Sequence, residues 1–175
     1  IVFNVDYRYG SGTEYNGPVI GKSQIFANTG FNLITSLGSG TPYTSQVFPT
    51  PITGEISPST EGSLNGSRLP WQVTMNANID KSFELTFGEG EGSKKAFLNV
   101  YLWISNVLNT QNITGVYRFT GTPDDDGYLA AAQYQPQIDT KNDPDAYRNY
   151  YGMYVNNPFN LGVPRTVRLG VKLDF

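Results

Sequence analysis

Residues 71–87 alternate almost without a break. Trp71, Val73, Met75, Ala77, Ile79, Phe83, Leu85 and Phe87 fall on one side of an extended chain. Gln72, Thr74, Asn76, Asn78, Asp80, Ser82, Glu84 and Thr86 fall on the other, and Lys81 is the one exception. Such a run is roughly three times the usual length of a globular strand. Beyond a short, charged turn at 88–95 lies a second arm, where Leu98, Val100, Leu102 and Ile104 oppose Asn99, Tyr101, Trp103 and Ser105. A soluble sandwich seldom needs strands of that length. A transmembrane β-strand takes about nine to eleven tilted residues, apolar toward lipid and polar toward the lumen, and barrel strands often project beyond the bilayer. The pattern predicts a membrane barrel.

Three more stretches alternate in the same way. Ile1, Phe3, Val5, Tyr7 and Tyr9 open the chain; 25–37 form a second strand, in which Gly30 makes room for a neighbour; and Val167, Leu169, Val171, Leu173 and Phe175 alternate with Arg168, Gly170, Lys172 and Asp174 at the end. The segment 10–22 reads as a turn. Residues 38–70, rich in Gly, Ser, Thr and Pro, and 109–163 read as long connections, with a strand expected over 116–119 and a short helix over 128–135. Five strands joined alternately by shorter and very long connections match bacterial outer-membrane barrels, whose turns are short on the periplasmic side and whose loops are long outside. The fold class expected is therefore all-β, an antiparallel up-and-down transmembrane barrel. The chain 1–175 supplies about its last five strands and carries extracellular loops at 38–70 and 109–163. Five strands cannot close alone, so further strands are expected upstream of Ile1.

Composition changes this picture little. Only 38% of residues are hydrophobic, and no apolar window is long enough for a membrane helix, but alternation dilutes the apolar positions of a barrel in the same way. Twelve Lys and Arg against 15 Asp and Glu give no basic surface, so nucleic acid is not an expected partner. The 12 Tyr, 10 Phe and 2 Trp suit interfacial girdles, although a carbohydrate-binding or adhesin β-sandwich reaches similar values. That soluble binding module is the alternative reading, and a structural barrel component assembled with other chains is a third. With neither Cys nor His, disulfides, thiol chemistry and a His-based triad are excluded.

Several short runs, in this order, resemble a known family. They are Asn28-Thr29-Gly30-Phe31-Asn32, Ser39-Gly40-Thr41-Pro42-Tyr43-Thr44, Asn78-Ile79-Asp80-Lys81-Ser82-Phe83, Ser105-Asn106-Val107-Leu108-Asn109, and Val116-Tyr117. They continue with Thr120-Gly121-Thr122-Pro123-Asp124-Asp125-Asp126-Gly127-Tyr128-Leu129, Asn157-Pro158 and Pro164-Arg165, before the terminal Phe. Together they resemble the C-terminal end of TonB-dependent outer-membrane receptors of the Bacteroidetes type, in particular the Oar-like group. The resemblance implies a barrel of about 22 strands, localisation in the bacterial outer membrane, and uptake of a ligand that the sequence does not identify. It also implies a plug and a TonB-binding box upstream of this sequence, and Phe175 as part of the signal read by the assembly machinery. The partners expected are the lipid bilayer, the remaining strands and plug, the TonB complex and other outer-membrane proteins.

Candidate chemistry is sparse. Tyr147, Tyr150, Tyr151 and Tyr154, with Arg148 among them, offer faces for a sugar or peptide ligand, although packing of the loop on itself is the preferred reading. Asp124, Asp125 and Asp126 offer carboxylates to Ca²⁺, but the distal Glu of an EF-hand is absent, and a solvated acidic turn is the preferred reading. Asp80 and Glu84 share a strand face about 13 Å apart, too far for a glycosidase pair; ion pairing with neighbouring strands, such as at Arg168 and Lys172, is expected instead. No nucleophile and base stand together, so a non-enzyme with no cofactor is expected.

Overall fold

In a computed structural model, which describes residues 1–52, 59–88 and 94–175, the alternating stretches form one sheet. Its strands are β1 (Val2–Arg8), β2 (Thr29–Gly38), β3 (Gln72–Phe87), β4 (Lys94–Ser105) and β5 (Thr166–Asp174), hydrogen-bonded in chain order. The β1–β2, β3–β4 and β4–β5 pairs are antiparallel. The class is thus all-β. Among the described residues the sheet is open, with β1 and β5 at its edges.

Register decides which side chains share a face. Ala77, Ile104 and Val167 lie abreast on β3, β4 and β5, followed by Ile79, Leu102 and Leu169, and then Phe83, Leu98 and Leu173. One face is therefore apolar across three strands, and Lys81, abreast of Val100, is its exception. Phe3 beside Thr35, Val5 beside Leu33 and Tyr7 beside Phe31 carry it over β1 and β2. The opposite face sets Asn78 beside Trp103 and Arg168, and Ser82 beside Asn99 and Lys172. A one-residue slip of register is incompatible with this, because it would mix the two faces. The apolar face has no core beneath it: Leu169 is 73% exposed and Val171 63%, whereas in this unit the buried apolar side chains among the described residues are Ala77 and Ala96.

The chain clusters into two units. The sheet unit comprises Ile1–Leu37, Val73–Thr110 and Pro164–Phe175, and the second comprises Gly38–Gln72 and Gln111–Val163. Both long connections thus fold together. The second unit holds short ladders, Pro42–Tyr43 with Ser67–Arg68 and Ser45–Gln46 with Thr60–Glu61, and two helices, α1 (Gln135–Asp139) and α2 (Pro144–Val155). Its core is Tyr128, Ile138, Tyr151 and Val155, with Tyr117, Leu129, Tyr134 and Tyr147 packed against it.

Local chemistry corrects several sequence expectations. The second strand begins at Thr29 and not at residue 25, because Asn28 takes a left-handed φ of 55° and the amides of Ala27 and Thr29 turn back onto Gln24 and Phe26. No strand forms over 116–119: the Tyr117 amide bonds to the Thr122 carbonyl and the Gly121 amide to that of Tyr117, closing a turn with Gly121 at φ 73°. The helix placed at 128–135 lies later, at α1, preceded by a 3-10 turn at Ala132–Tyr134. Helix α2 occupies a stretch read from the sequence as part of a long connection; Asp143 accepts from the Ala146 amide at 2.9 Å and Pro144 opens the helix, an ordinary start signal. The segment 10–22 contains a 3-10 turn, Gly12–Glu14, and a strand, Val19–Ile20, that pairs with Ser23–Gln24. The central turn at 88–95 lies mostly outside the described residues.

Candidate functional site

The polar face of the sheet is organised by one ion pair. The Arg8 guanidinium on β1 donates to both Asp80 oxygens on β3, at 2.8 and 2.9 Å, and passes over β2 at Gly30. A β-carbon at Gly30 would lie 2.4 Å from Arg8 Nη2 and 2.6 Å from Asp80 Oδ1. Gly30 is required for its emptiness, and the room that the sequence reserved there is filled by this pair. From Asp80 the network continues: Asn99 on β4 donates to Asp80 Oδ2 at 3.4 Å and to Ser82 Oγ at 2.9 Å. The pairing of Asp80 and Glu84 with Arg168 and Lys172 is corrected. Glu84 takes Lys95, Lys172 takes Asp174, and Asp80 takes Arg8. Arg168 is abreast of Asn78 and Lys172 of Ser82, whereas Arg8 reaches Asp80 over a strand that presents no side chain.

The run Ser105-Asn106-Val107-Leu108-Asn109 ends β4 by a defined mechanism. Asn106 and Asn109 both take φ 53°, and the Asn106 side chain donates to the Thr110 carbonyl and accepts from the Thr110 amide, each at 3.0 Å. Asn109 Oδ1 then accepts from the Arg165 amide at 3.0 Å, tying this turn to the segment that opens β5. Asparagine bonds its own backbone and tolerates the left-handed region, which is why it occupies both positions.

In the second unit Tyr147, Tyr150, Tyr151 and Tyr154 come together with Ile52 around an open pocket of about 330 Å³. They occupy one stripe of α2 at helical spacing. Within it the roles divide. Tyr151 is buried, donates its hydroxyl to Asp126 Oδ2 at 2.5 Å and accepts from the Ile52 amide at 3.1 Å. Tyr147 packs on the core, with Lys141 Nζ 5.3 Å from its ring centroid. Tyr150 and Tyr154 are 66% and 62% exposed and form the outer wall. Arg148 is not at the pocket: it binds Asp139 at 3.0 Å and Gln135 Oε1 at 2.9 Å, holding α1 against α2.

Asp124, Asp125 and Asp126 line a separate hollow of about 280 Å³ with Leu129, Ala130, Tyr151, Gly152 and Val155. Asp125 Oδ1 accepts from the Gly127 amide at 2.8 Å, and Asp126 accepts from the Tyr128 amide at 3.0 Å as well as from Tyr151. Two of these carboxylates thus serve the turn and the core. Among the described residues no group of three or more acidic, His or Cys side chains is arranged to hold a metal ion. Burial, then the hydrogen bond to Asp126, holds the Tyr151 phenol well above its usual range, while the Ile52 amide pulls the other way. Burial and a hydrogen bond to Tyr147 push Tyr128 up to about 12. Tyr117 is raised by burial, then by Asp126 and Tyr154.

Phe175 is 95% exposed and borders, with Phe87, Lys94, Lys95 and Ala96, a concavity of about 470 Å³ where β3 ends and β4 begins. Tyr101 and Trp103, which alternation marks only as positions on a strand, line a shallow concavity of about 530 Å³ with Arg168 and Leu169. Their alternation marked the face, but only the strand register brings Arg168 abreast of Trp103.

No protein-family model, curated protein or solved structure matches this chain.

Proposed function

We propose that the chain supplies membrane-spanning strands of an outer-membrane β-barrel receptor or transporter, similar to the C-terminal part of a TonB-dependent receptor, and has no catalytic activity. The observation that carries this reading is the apolar face itself. It runs over all five strands, is broken centrally by Lys81, and is exposed. A soluble antiparallel sheet buries such a face on a core, whereas in a barrel lipid covers it and the polar network of Arg8, Asp80, Asn99 and Ser82 faces the lumen. Lys81 fits the same arrangement: its ammonium turns back to the Ile25 carbonyl and over the Phe83 ring, as expected of a lysine reaching toward an interface. The open edges at β1 and β5 then need partner strands, since backbone groups left unpaired in lipid cost several kcal/mol each. The remaining strands and the plug of the receptor supply that partnership, and coupling to the TonB complex drives uptake of the ligand. The folded second unit contributes extracellular surface, with the tyrosine pocket as its ligand contact and Phe175 as the assembly signal.

The test is lipid exposure of alternate residues. Nitroxide labels at residues 77, 79, 169 and 171, in the protein reconstituted in vesicles, should be accessible to oxygen and shielded from a water-soluble relaxation agent. Labels at 78, 80, 168 and 170 should behave in the opposite way. A protein that stays monodisperse in plain buffer, with both sets equally wetted, would refute the membrane reading and favour the soluble binding module.

A further inference from the structure

On the polar face of the sheet, every acidic side chain near a cation of the same face is already engaged. Asp80 binds Arg8, Glu84 binds Lys95, Asp174 binds Lys172, and Asp6 accepts from Asn32. Arg168 on this face has no acidic partner among the described residues. It sits directly abreast of Trp103, so their β-carbons are about 5 Å apart. Tyr101 lies two residues before Trp103 on β4, on the same face, with their Cα atoms about 7 Å apart. These three side chains, with Leu169, line the concavity of about 530 Å³, within the range of roughly 300–1,000 Å³ typical of small-ligand sites.

Both rings are set in place. The Trp103 indole donates to Ser105 Oγ at 2.9 Å, which orients its plane. Tyr101 lies over the bare backbone of Gly170, where a β-carbon would come within 2.2 Å of its Cζ. Even so, Trp103 is 48% exposed and Tyr101 37%. Two positioned aromatic faces beside a guanidinium that has no acidic partner among the described residues form a recognition set: the rings stack on a flat ligand face, and the planar fork of arginine matches a carboxylate with two parallel hydrogen bonds.

We propose that this concavity binds a ring compound bearing a carboxylate, held by Arg168 at the acid and by Tyr101 and Trp103 at the ring. A sugar acid and an aromatic acid both present that chemistry. The inference stands on the geometry of the sheet, and its meaning as the ligand of a receptor rests on the function proposed above.

In the Trp71→Phe protein, Trp103 is the remaining tryptophan of the 175 residues, so its fluorescence reports the site directly. The protein in detergent micelles is titrated with glucuronate against glucose, and with benzoate against benzyl alcohol. The expected result is a saturable change with at least one acid, about tenfold or more tighter than with its neutral counterpart, as a charge-assisted hydrogen bond provides. The acid that responds identifies the ligand source. Arg168→Gln should remove the preference for the acid, and Arg168→Lys should retain part of it, with circular dichroism unchanged in both. Equal response to acid and neutral compounds, no response to either acid, or an Arg168→Gln protein that titrates like the parent would overturn the proposal. The outcome is separable from the membrane reading, because the lipid-exposure labels report insertion whether or not this site binds.

Discussion

Replacing Gly30 by Ala should destabilise the sheet, against what strand propensity alone predicts. Glycine inside a strand costs roughly 0.5–1 kcal/mol relative to alanine, and Gly30 has no left-handed φ that would demand glycine. Propensity therefore predicts a gain. The structure predicts a loss, since the new β-carbon would lie 2.4 Å from Arg8 Nη2 and 2.6 Å from Asp80 Oδ1. Arg8 is flexible and can withdraw, but withdrawal breaks the ion pair. Hydrogen bonds to charged groups contribute about 1.5–3 kcal/mol. The side chain of Arg8 is 54% exposed and that of Asp80 14%, so solvent screening argues for the lower end, about 1.5 kcal/mol. The net expectation is a destabilisation of about 0.5–1 kcal/mol. Urea unfolding in micelles of Gly30→Ala, Arg8→Gln and the double variant separates the contributions. If Gly30 acts by admitting the ion pair, the double variant is no less stable than Arg8→Gln alone, and the alanine recovers its propensity gain. Strictly additive costs, or a stabilised Gly30→Ala protein with Arg8 present, would refute the reasoning.

Arg in place of Met75, on the apolar face of β3, should cost about 2–4 kcal/mol if that position lies near the bilayer midplane. Arg in place of Asn76 should cost only about 1 kcal/mol, for the lost bond to the Asn106 amide; equal costs in micelle unfolding would contradict the assignment of faces. Tyr151→Phe strips Asp126 and the Ile52 amide of a shared partner and should destabilise the second unit by about 1–3 kcal/mol, read as faster limited proteolysis within 38–72 and 111–163. Because Tyr117, Tyr128 and Tyr151 are raised above 10, their contribution to stability is complete below the unfolded value near pH 10 and is lost as pH rises through the folded values, about 12 for Tyr128. Tyrosinate absorbance should accordingly appear late and together with loss of structure, and simple independent titration at pH 10 would contradict it. Tyr150→Ala and Tyr154→Ala remove exposed pocket walls and should change stability by no more than about 0.5 kcal/mol, while lowering ligand uptake. Deletion of 139–156 cannot make that distinction, because it also removes Tyr151 and Val155 from the core.

What the sequence determined by itself was the sheet and its two faces. Period two is the geometry of an extended chain, so the alternation of 71–87 and 166–175 specified strands, and the side on which Leu85 or Leu169 would lie, before any partner strand was known. Terminations that depend on local chemistry were partly legible: Asn106 and Asn109 end β4 through bonds to their own neighbourhood, yet the similar role of Asn28 at the start of β2 was hidden inside an alternation that continued through it. Only the tertiary structure decided the pairings between distant strands. The partner of Asp80 is Arg8, 72 positions away, and it is reached because Gly30 leaves β2 open between them. Register likewise set Arg168 beside Trp103, which alternation alone leaves undetermined. The second unit was the least legible part. Its core takes Tyr151 and Val155 from the helical stripe of α2 but joins them to Tyr128 and Ile138 through irregular segments, whose packing is specified by contacts between residues far apart in the chain and shows no period.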